Sequence, residues 1–159
     1  MSPAADAGAP TLRSRIRHPR LIRLYEHWDA KCKDRLMPSR ADMDPLDLPI
    51  ALGHLLLMDV IGPPPWRFRY RLIGSALTQR AGRDFTGRFV AEIPERDYRD
   101  SIIEWHTGVV EQRAPRCELT RRVIDRRWLH YEILTLPLSS DGEAVDMTLT
   151  GLYYIDERD

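Results

Sequence analysis

Few side chains in this 159-residue sequence have the setting of a catalytic group. His106 and Glu132 are the two candidates for general acid–base chemistry, since an imidazole or a carboxylate can move a proton when it is buried beside an apolar substrate. A small α+β domain with such a group would act as an isomerase or hydratase. Histidines on helices and glutamates in strands are more often ordinary packed or solvent-facing residues, and no serine sits in a G-x-S-x-G turn. The sequence therefore favours a protein that is not an enzyme.

Metal and disulfide chemistry have little more support. The two cysteines, Cys32 and Cys117, lie far apart, and neither has a Cys or His at metal-ligand spacing. Asp42, Asp44 and Asp47 are close in sequence, but no glycine or bidentate glutamate completes a calcium loop. Their spacing suits helix capping better, with Asp44 before a proline and Asp47 near the positive helix end. We expect no metal site.

Charge and hydropathy exclude several classes of partner. The chain has 24 basic and 24 acidic side chains, so it has no net attraction for nucleic acid or for an anionic membrane. Its longest apolar run, residues 48–58, is interrupted by His54 and is too short to span a bilayer. The first 18 residues lack the apolar segment of a secretory signal, and two distant cysteines suit a reducing compartment. We expect a cytoplasmic protein that binds neither nucleic acid nor membrane.

The chain divides into a disordered arm over residues 1–18, an N-terminal amphipathic helix over 19–37 and a domain over 38–157. An apolar stripe with helical spacing runs along the helix. It must be buried against the domain's own sheet or against the same helix of a second chain. We expect a homodimer with four of these residues at its interface: Leu21, Leu24, Tyr25 and Trp28.

The domain is organised around the stretch RFRYRLIGSALTQRAGRDFTG, residues 67–87. Its first half alternates in the manner of a half-buried strand, and a short helix follows between Gly74 and Gly82, which we interpret as backbone bends. Other segments with strand patterning are 55–61, 117–124, 128–138 and 145–153, and a longer helix is expected over 95–112. Turns are expected at the three prolines 63–65, at Asp125-Arg126 and at Asp141-Gly142. The run ILTLPL within 128–138 is typical of a central strand covered on both faces.

Five local patterns in this order resemble one family. They read YEHW, PSRADMDPLDLP, FRYRLIGSAL, GRDFTGR and EILTLPLSSDG, and together they are similar to a bacterial branch of the PAS domains. The resemblance covers roughly residues 21–153. It implies an α+β fold with a five-stranded antiparallel sheet, helices on one face, and an N-terminal helix on the other face or in a dimer. The implied role is a stand-alone sensory or interaction domain that signals through another chain.

The resemblance also suggests where a ligand would lie. A pocket for a small apolar molecule between helix and sheet would be lined by Tyr70, Leu72, Leu77, Phe85, Ile102, His106, Val109 and Met147, unless these residues simply fill the core. Some PAS domains bind haem through a histidine on the long helix, which makes a haem sensor with His106 as axial ligand an alternative. A covalent flavin adduct is disfavoured, because no cysteine lies near Gly82-Arg83-Asp84. The sequence identifies no cofactor.

Overall fold

The computed structural model describes residues 11–48 and 51–155 of the chain. In these residues, five antiparallel strands form one sheet in the order β2-β1-β5-β4-β3. The strands are β1 (Leu55–Ile61), β2 (Arg67–Ile73), β3 (Arg116–Ile124), β4 (Arg127–Leu138) and β5 (Met147–Tyr154). The expected fold class is confirmed, and β1 has the predicted bounds.

Four α-helices accompany the sheet in the described ranges: α1 (Leu12–Arg15), α2 (Pro19–Cys32), α3 (Ser75–Ala81) and α4 (Arg96–Gln112). Single turns of 3-10 helix occupy Arg40–Asp42, Pro45–Asp47, Leu52–His54 and Val90–Glu92. The capping role predicted for Asp44 is confirmed, because its Oδ1 accepts the Leu46 N–H at 2.9 Å. None of the described helices is long and apolar enough to cross a membrane.

The two faces of the sheet are covered by different helices. On the face we call outer, α2 packs against β4 and β5, and Trp28 Nε1 donates to the Pro137 carbonyl oxygen at 2.9 Å. On the inner face, α4 packs against β4 and β3, and Trp105 Nε1 donates to Thr135 Oγ1 at 2.9 Å. The end of β4, including Leu134 and Leu138, is therefore buried on both sides, as the ILTLPL pattern predicted.

The segment that precedes α2 differs from the predicted arm. Residues 1–10 of that arm lie outside the described residues, but residues 11–18 are ordered and contain α1. Ile16 is buried, and the backbone N–H groups of Arg17 and His18 donate to the Glu132 carboxylate at 3.0 and 2.6 Å. A segment of small and polar residues is expected to be disordered when it makes no contact with the folded domain. Here the Glu132 carboxylate, more than a hundred positions away, binds the segment. The helix itself ends at Cys32 instead of continuing to residue 37.

The apolar stripe of α2 is buried within its own chain. Leu21, Leu24 and Trp28 are at most 5% exposed, and only Tyr25 among the four proposed interface residues is half-buried. Gly151 in β5 accommodates this packing, because a Cβ there would lie 2.5 Å from Leu21 Cδ2 and 2.8 Å from Leu24 Cδ2. Of the two alternatives that the sequence left open for this stripe, the structure shows packing on the domain's own sheet. Whether the chain also forms a dimer stays a prediction.

The two glycines that flank α3 have different roles. Gly82 has φ +71° and ends the helix in the left-handed region, as predicted. Gly74 has an ordinary φ of −60°, so the bend predicted there does not use the left-handed conformation that favours glycine. A Cβ at Gly74 would lie 2.2 Å from the Gly53 carbonyl oxygen, which means that this position is a close backbone approach.

Candidate functional site

A cleft of about 330 Å³ opens between α3, the segment before α4 and the inner face of the sheet. Its apolar and aromatic wall consists of Leu56, Tyr70, Ile73, Leu77, Phe85, Ile93, Tyr98, Ile124, Leu129, Leu152 and Tyr154. Its remaining lining residues are Thr78, Arg80, Ala81, Arg83, Glu95, Asp125 and Arg127. The volume lies near the lower end of the range found for small-molecule sites.

Local structure explains how the wall is built. Alternation along β2 and β5 sends Tyr70, Leu152 and Tyr154 to the inner face. α3 presents its one buried residue, Leu77, to the same space. After the left-handed turn at Gly82 the chain reverses and brings Phe85 to the Tyr70 ring, with centroids 6.5 Å apart. Strand, helix and turn thus enclose one space from three sides.

Two tyrosine hydroxyls belong to this wall. Tyr70 is 6% exposed and Tyr98 is half-buried. Burial is the largest cause that raises the pKa of both phenols well above the ordinary value, so both are neutral at any physiological pH. Neither hydroxyl has a hydrogen-bond partner among the described residues, although each is a strong donor. The cleft wall therefore includes two neutral tyrosine side chains whose hydroxyl groups make no hydrogen bond within residues 11–48 and 51–155.

Charged side chains form the rim of the cleft. Arg83 Nη1 lies 2.7 Å from Glu95 Oε1, and this hydrogen bond is the main cause that lowers the pKa of Glu95. Glu95 Oε2 is buried and has no partner within the described chain. Arg80 lies over the Tyr154 ring with its Cζ 3.5 Å from the centroid, and Asp125 Oδ2 accepts the Tyr98 backbone N–H at 3.2 Å.

The structure separates the eight residues predicted to line a pocket into three groups. Tyr70, Leu77 and Phe85 line the cleft. Ile102, His106 and Val109 lie instead on the part of α4 that packs on the protein interior, where His106 and Val109 are fully buried. Leu72 and Met147 are on the outer face. Leu72 pairs with Leu57 next to a bulge, and Met147 shares the face of Gly151, which α2 covers. The last five residues do not line the cleft.

His106, the proposed haem ligand, is enclosed by protein. It is 2% exposed, its Nδ1 lies 3.3 Å from Thr148 Oγ1, and its ring packs 5.5 Å from that of Phe68. Burial, and secondarily the charge of Arg116, lowers its pKa to about 3. His106 does not line the cleft. These surroundings fit a packed neutral imidazole and leave no room for a haem beside it.

Glu132, the other candidate for proton transfer, lies on the opposite face of the sheet from His106. Its carboxylate is 2% exposed and accepts the two N–H groups that precede α2. His106 contacts Thr148 on the inner face. The sheet therefore separates the two groups, so they do not form an acid–base pair. Both have structural partners instead.

A second depression, of about 400 Å³, lies along the exposed side of α4. It is lined by Asp100, Ile103, Glu104, Thr107, Gly108 and Glu111. All six residues come from one helix, so no other described element faces them across the groove and a small ligand would stay largely in water. No three His, Cys, Asp or Glu side chains of the described residues are placed to hold a metal ion.

Sequence reasoning missed most of the rim and part of the wall. Tyr98 stands one helical turn before Ile102, and β5 alternates, so Tyr98, Leu152 and Tyr154 were within reach of pattern analysis. The rim residues were not, because Arg83, Glu95 and Arg127 come from a turn, a helix N-cap and a hairpin that meet only in three dimensions.

Comparison with known proteins identifies the family. The family model described as "PAS domain" matches residues 16–154, which is most of the chain. No curated protein matches the chain in sequence. Among solved structures, the PAS domain of Bordetella pertussis BvgS superposes with a TM-score of 0.52 at 20% identity, over 73% of this chain and 90% of that one. A LOV protein of Rhodobacter sphaeroides gives a TM-score of 0.48 at 12% identity, over 72% of this chain and 70% of that one. The resemblance found in the sequence is therefore confirmed, and the chain belongs to the PAS domain family.

Proposed function

We propose that this PAS domain is the input module of a bacterial signalling system and that its signal is a small, largely apolar molecule bound in the cleft. PAS domains are sensory and not enzymatic, and the inner arrangement of this one matches that role. The output passes to another protein chain. The haem and enzyme alternatives have no supporting observation, since His106 and Glu132 are each packed against structural partners.

The observation that carries the proposal is the cleft itself. Protein interiors are close-packed, and spaces larger than a few water molecules are uncommon inside a small domain. Here, about 330 Å³ remains beside Tyr70, Leu77 and Phe85, with apolar walls and a few polar groups. This combination is typical of small-molecule sites. A ligand that bound there would touch β2, α3 and β5 together and would stabilise their contact.

A thermal-shift screen tests this proposal. The full-length chain is heated with a library of small organic molecules, and the same library is applied to Leu77→Trp and to Ala81→Trp, two variants that place an indole inside the cleft or at its mouth. We expect compounds that raise the Tm of the wild type and lose that effect in both variants. Leu119→Trp is the matched control, because Leu119 is 43% exposed on β3, away from the cleft. Absence of stabilising compounds, or equal effects in all four proteins, would reject the proposal.

We further propose that the domain works as a homodimer in the cytoplasm. Cys32 and Cys117 are both free thiols, which supports a reducing compartment. For the dimer, Tyr25 is the informative residue, because it is half-buried on α2 while Leu21, Leu24 and Trp28 already belong to the core of one chain.

Tyr25→Lys tests the dimer without unfolding the protein. Light scattering should give a dimer for the wild type and a monomer of unchanged circular dichroism for Tyr25→Lys. A wild type that is a monomer at high concentration would contradict the proposal. A dimer that survives Tyr25→Lys would show that the interface lies elsewhere.

A further inference from the structure

The polar lining of the cleft also indicates which class of molecule it takes. We propose that the cleft binds a neutral aromatic molecule that donates a hydrogen bond, from a ring N–H or a hydroxyl group, to Glu95 Oε2. The ring of the ligand lies among the apolar side chains of the wall. This inference rests on the proposed function, since it requires that the cleft is a ligand site.

Glu95 Oε2 is the polar atom of the cleft that calls for a partner. It belongs to a lining residue and is buried, yet it accepts no hydrogen bond from residues 11–48 and 51–155. A buried acceptor without a donor costs free energy, which a ligand that supplies the donor recovers on binding. A hydrogen bond to a charged acceptor is also about twice as strong as a neutral one. This oxygen therefore selects a donor and disfavours a second carboxylate.

Arg83 holds the Glu95 carboxylate in place. Its Nη1 lies 2.7 Å from Glu95 Oε1, and its Cζ lies 4.8 Å from the centroid of the Phe85 ring in the wall. Because Oε1 is occupied by this ion pair, Oε2 is the oxygen that is left for a ligand. The hydrogen bond from Arg83 is also the main cause that lowers the pKa of Glu95, so the acceptor is ionised at neutral pH.

The charges around Glu95 favour a neutral donor over an ammonium group. Arg83 already compensates the negative charge of Glu95. Arg127 also lines the cleft, and its charge acts on the same carboxylate. A cationic ligand would therefore place its charge close to two guanidinium groups, and like charges repel strongly where water is partly excluded. The N–H or O–H group of a neutral molecule meets the acceptor without this repulsion.

The wall favours a flat ring of limited size. Four aromatic side chains line the cleft: Tyr70, Phe85, Tyr98 and Tyr154. Aromatic rings associate through offset-stacked and edge-to-face contacts that an aliphatic group does not make. A space near 330 Å³ suits one ring or two fused rings and is small for a large planar cofactor.

Small probes titrated into the full-length protein test this class, with binding followed by amide chemical shifts in NMR spectra. Indole and benzofuran have nearly the same shape, but only indole has an N–H donor. We expect indole to shift residues of α3 and β5 at the cleft and to bind about tenfold more tightly than benzofuran. Benzyl alcohol should bind more tightly than benzylamine, which is a cation at neutral pH, and more tightly than cyclohexylmethanol, its saturated counterpart.

Glu95→Gln locates the hydrogen bond. The glutamine oxygen can still accept the Arg83 guanidinium, which leaves an amide donor in the place of Oε2, where it opposes the donor of the ligand. Indole binding should therefore weaken about tenfold, whereas benzofuran binding should change far less. Glu104→Gln is the matched control, because Glu104 is an exposed carboxylate on α4 that does not line the cleft. It should bind indole as the wild type does.

The outcomes separate this inference from the proposal on which it rests. If benzofuran binds in the cleft as tightly as indole, or if Glu95→Gln keeps the preference for indole, the cleft is a ligand site but the class assigned here is wrong. The class is also wrong if indole binds outside the cleft, or if benzylamine or cyclohexylmethanol binds at least as tightly as benzyl alcohol. It is wrong again if the thermal-shift screen finds cleft ligands while none of these probes binds. If no probe binds and the screen finds no cleft ligand, the proposed function fails as well.

Discussion

At the scale of single residues, His106 illustrates how a candidate catalytic group becomes part of the core. Thr148 Oγ1 lies within hydrogen-bond distance of its Nδ1, and Phe68 packs against its ring. Burial, then Arg116, lowers its pKa to about 3, so the folded protein keeps the imidazole neutral at physiological pH. In the unfolded chain His106 is exposed to water, and its pKa is near the ordinary value of 6.5. This difference links stability to pH.

The stability contributed by neutral His106 is complete above pH 6.5 and is lost as the pH falls, because only the unfolded chain takes up the proton. Between pH 6 and pH 5, this one group should lower the free energy of unfolding by about 1 kcal/mol. His106→Asn should be less stable at pH 7 but should lack this part of the pH dependence. Urea unfolding at a series of pH values measures both quantities.

Thr148→Val is the control for this experiment, because it removes the hydrogen-bond partner and leaves the imidazole in place. It should lower the stability at every pH and retain the wild-type slope. If His106→Asn also retains the full slope between pH 6 and pH 5, the buried histidine does not account for the pH dependence.

At the scale of elements, the packing of α2 on the outer face depends on a glycine in the strand below it. Gly151 lies beneath Leu21 and Leu24, where a Cβ would approach their methyl groups to 2.5 and 2.8 Å. The same helix is anchored at its start by Glu132 and in its middle by Trp28. Small changes in β5 should therefore affect a helix that is remote from it in sequence.

Gly151→Ala should lower the free energy of unfolding by about 1–3 kcal/mol, because the added methyl forces the two leucines from their positions. Adding Leu21→Ala provides room for that methyl, so the double variant should be more stable than the sum of the single effects predicts. Chemical denaturation of the four proteins gives this coupling energy.

Gly53→Ala is a suitable control, since its Cβ would meet its nearest neighbour, Ser75 Oγ, at an ordinary 3.5 Å. Strict additivity of Gly151→Ala and Leu21→Ala would mean that α2 does not rest on Gly151.

The elements also show what the sequence could predict. Three elements were predictable because each has a signal in its own residues. Strand β1 is an apolar run, and the doubly covered β4 loses its alternation. The third is the Asp125-Arg126 turn, whose residues adopt φ of 49° and 67°. The ordered segment before α2 was not predictable, since its order comes from Glu132, far away in the chain. Leu72 was misplaced because the bulge at Leu57/Met58 shifts the register of β2.

The candidate site was predictable to a smaller extent than the fold. Tyr70, Leu77 and Phe85 were found because strand alternation, helix spacing and the turn at Gly82 point them to one side. Ile102, His106 and Val109 were predicted to line the pocket but do not line the cleft. Periodicity shows which side of α4 is buried but not whether that side faces the sheet or an open space. That distinction depends on how far α4 stands from the strands, which no local pattern contains.

At the scale of the whole molecule, the two faces of the sheet differ in what they carry. The outer face carries the N-terminal segment and α2, whereas the inner face holds the cleft between α3 and the strands. Strand β5 contributes to both faces, since Gly151 meets α2 while Leu152 and Tyr154 line the cleft. A ligand that alters the position of β5 would therefore act directly on the surface that holds α2.

The central claim is that the cleft holds a small molecule, and native mass spectrometry of the chain purified from its own host tests it most directly. We predict that the wild type has a mass exceeding that of the polypeptide by one small organic molecule, which is released on denaturation. Leu77→Trp, purified in the same way, should have the mass of the polypeptide alone. If the wild type has no added mass under gentle conditions, or if Leu77→Trp retains the same molecule, the account of this cleft as a sensory site is contradicted.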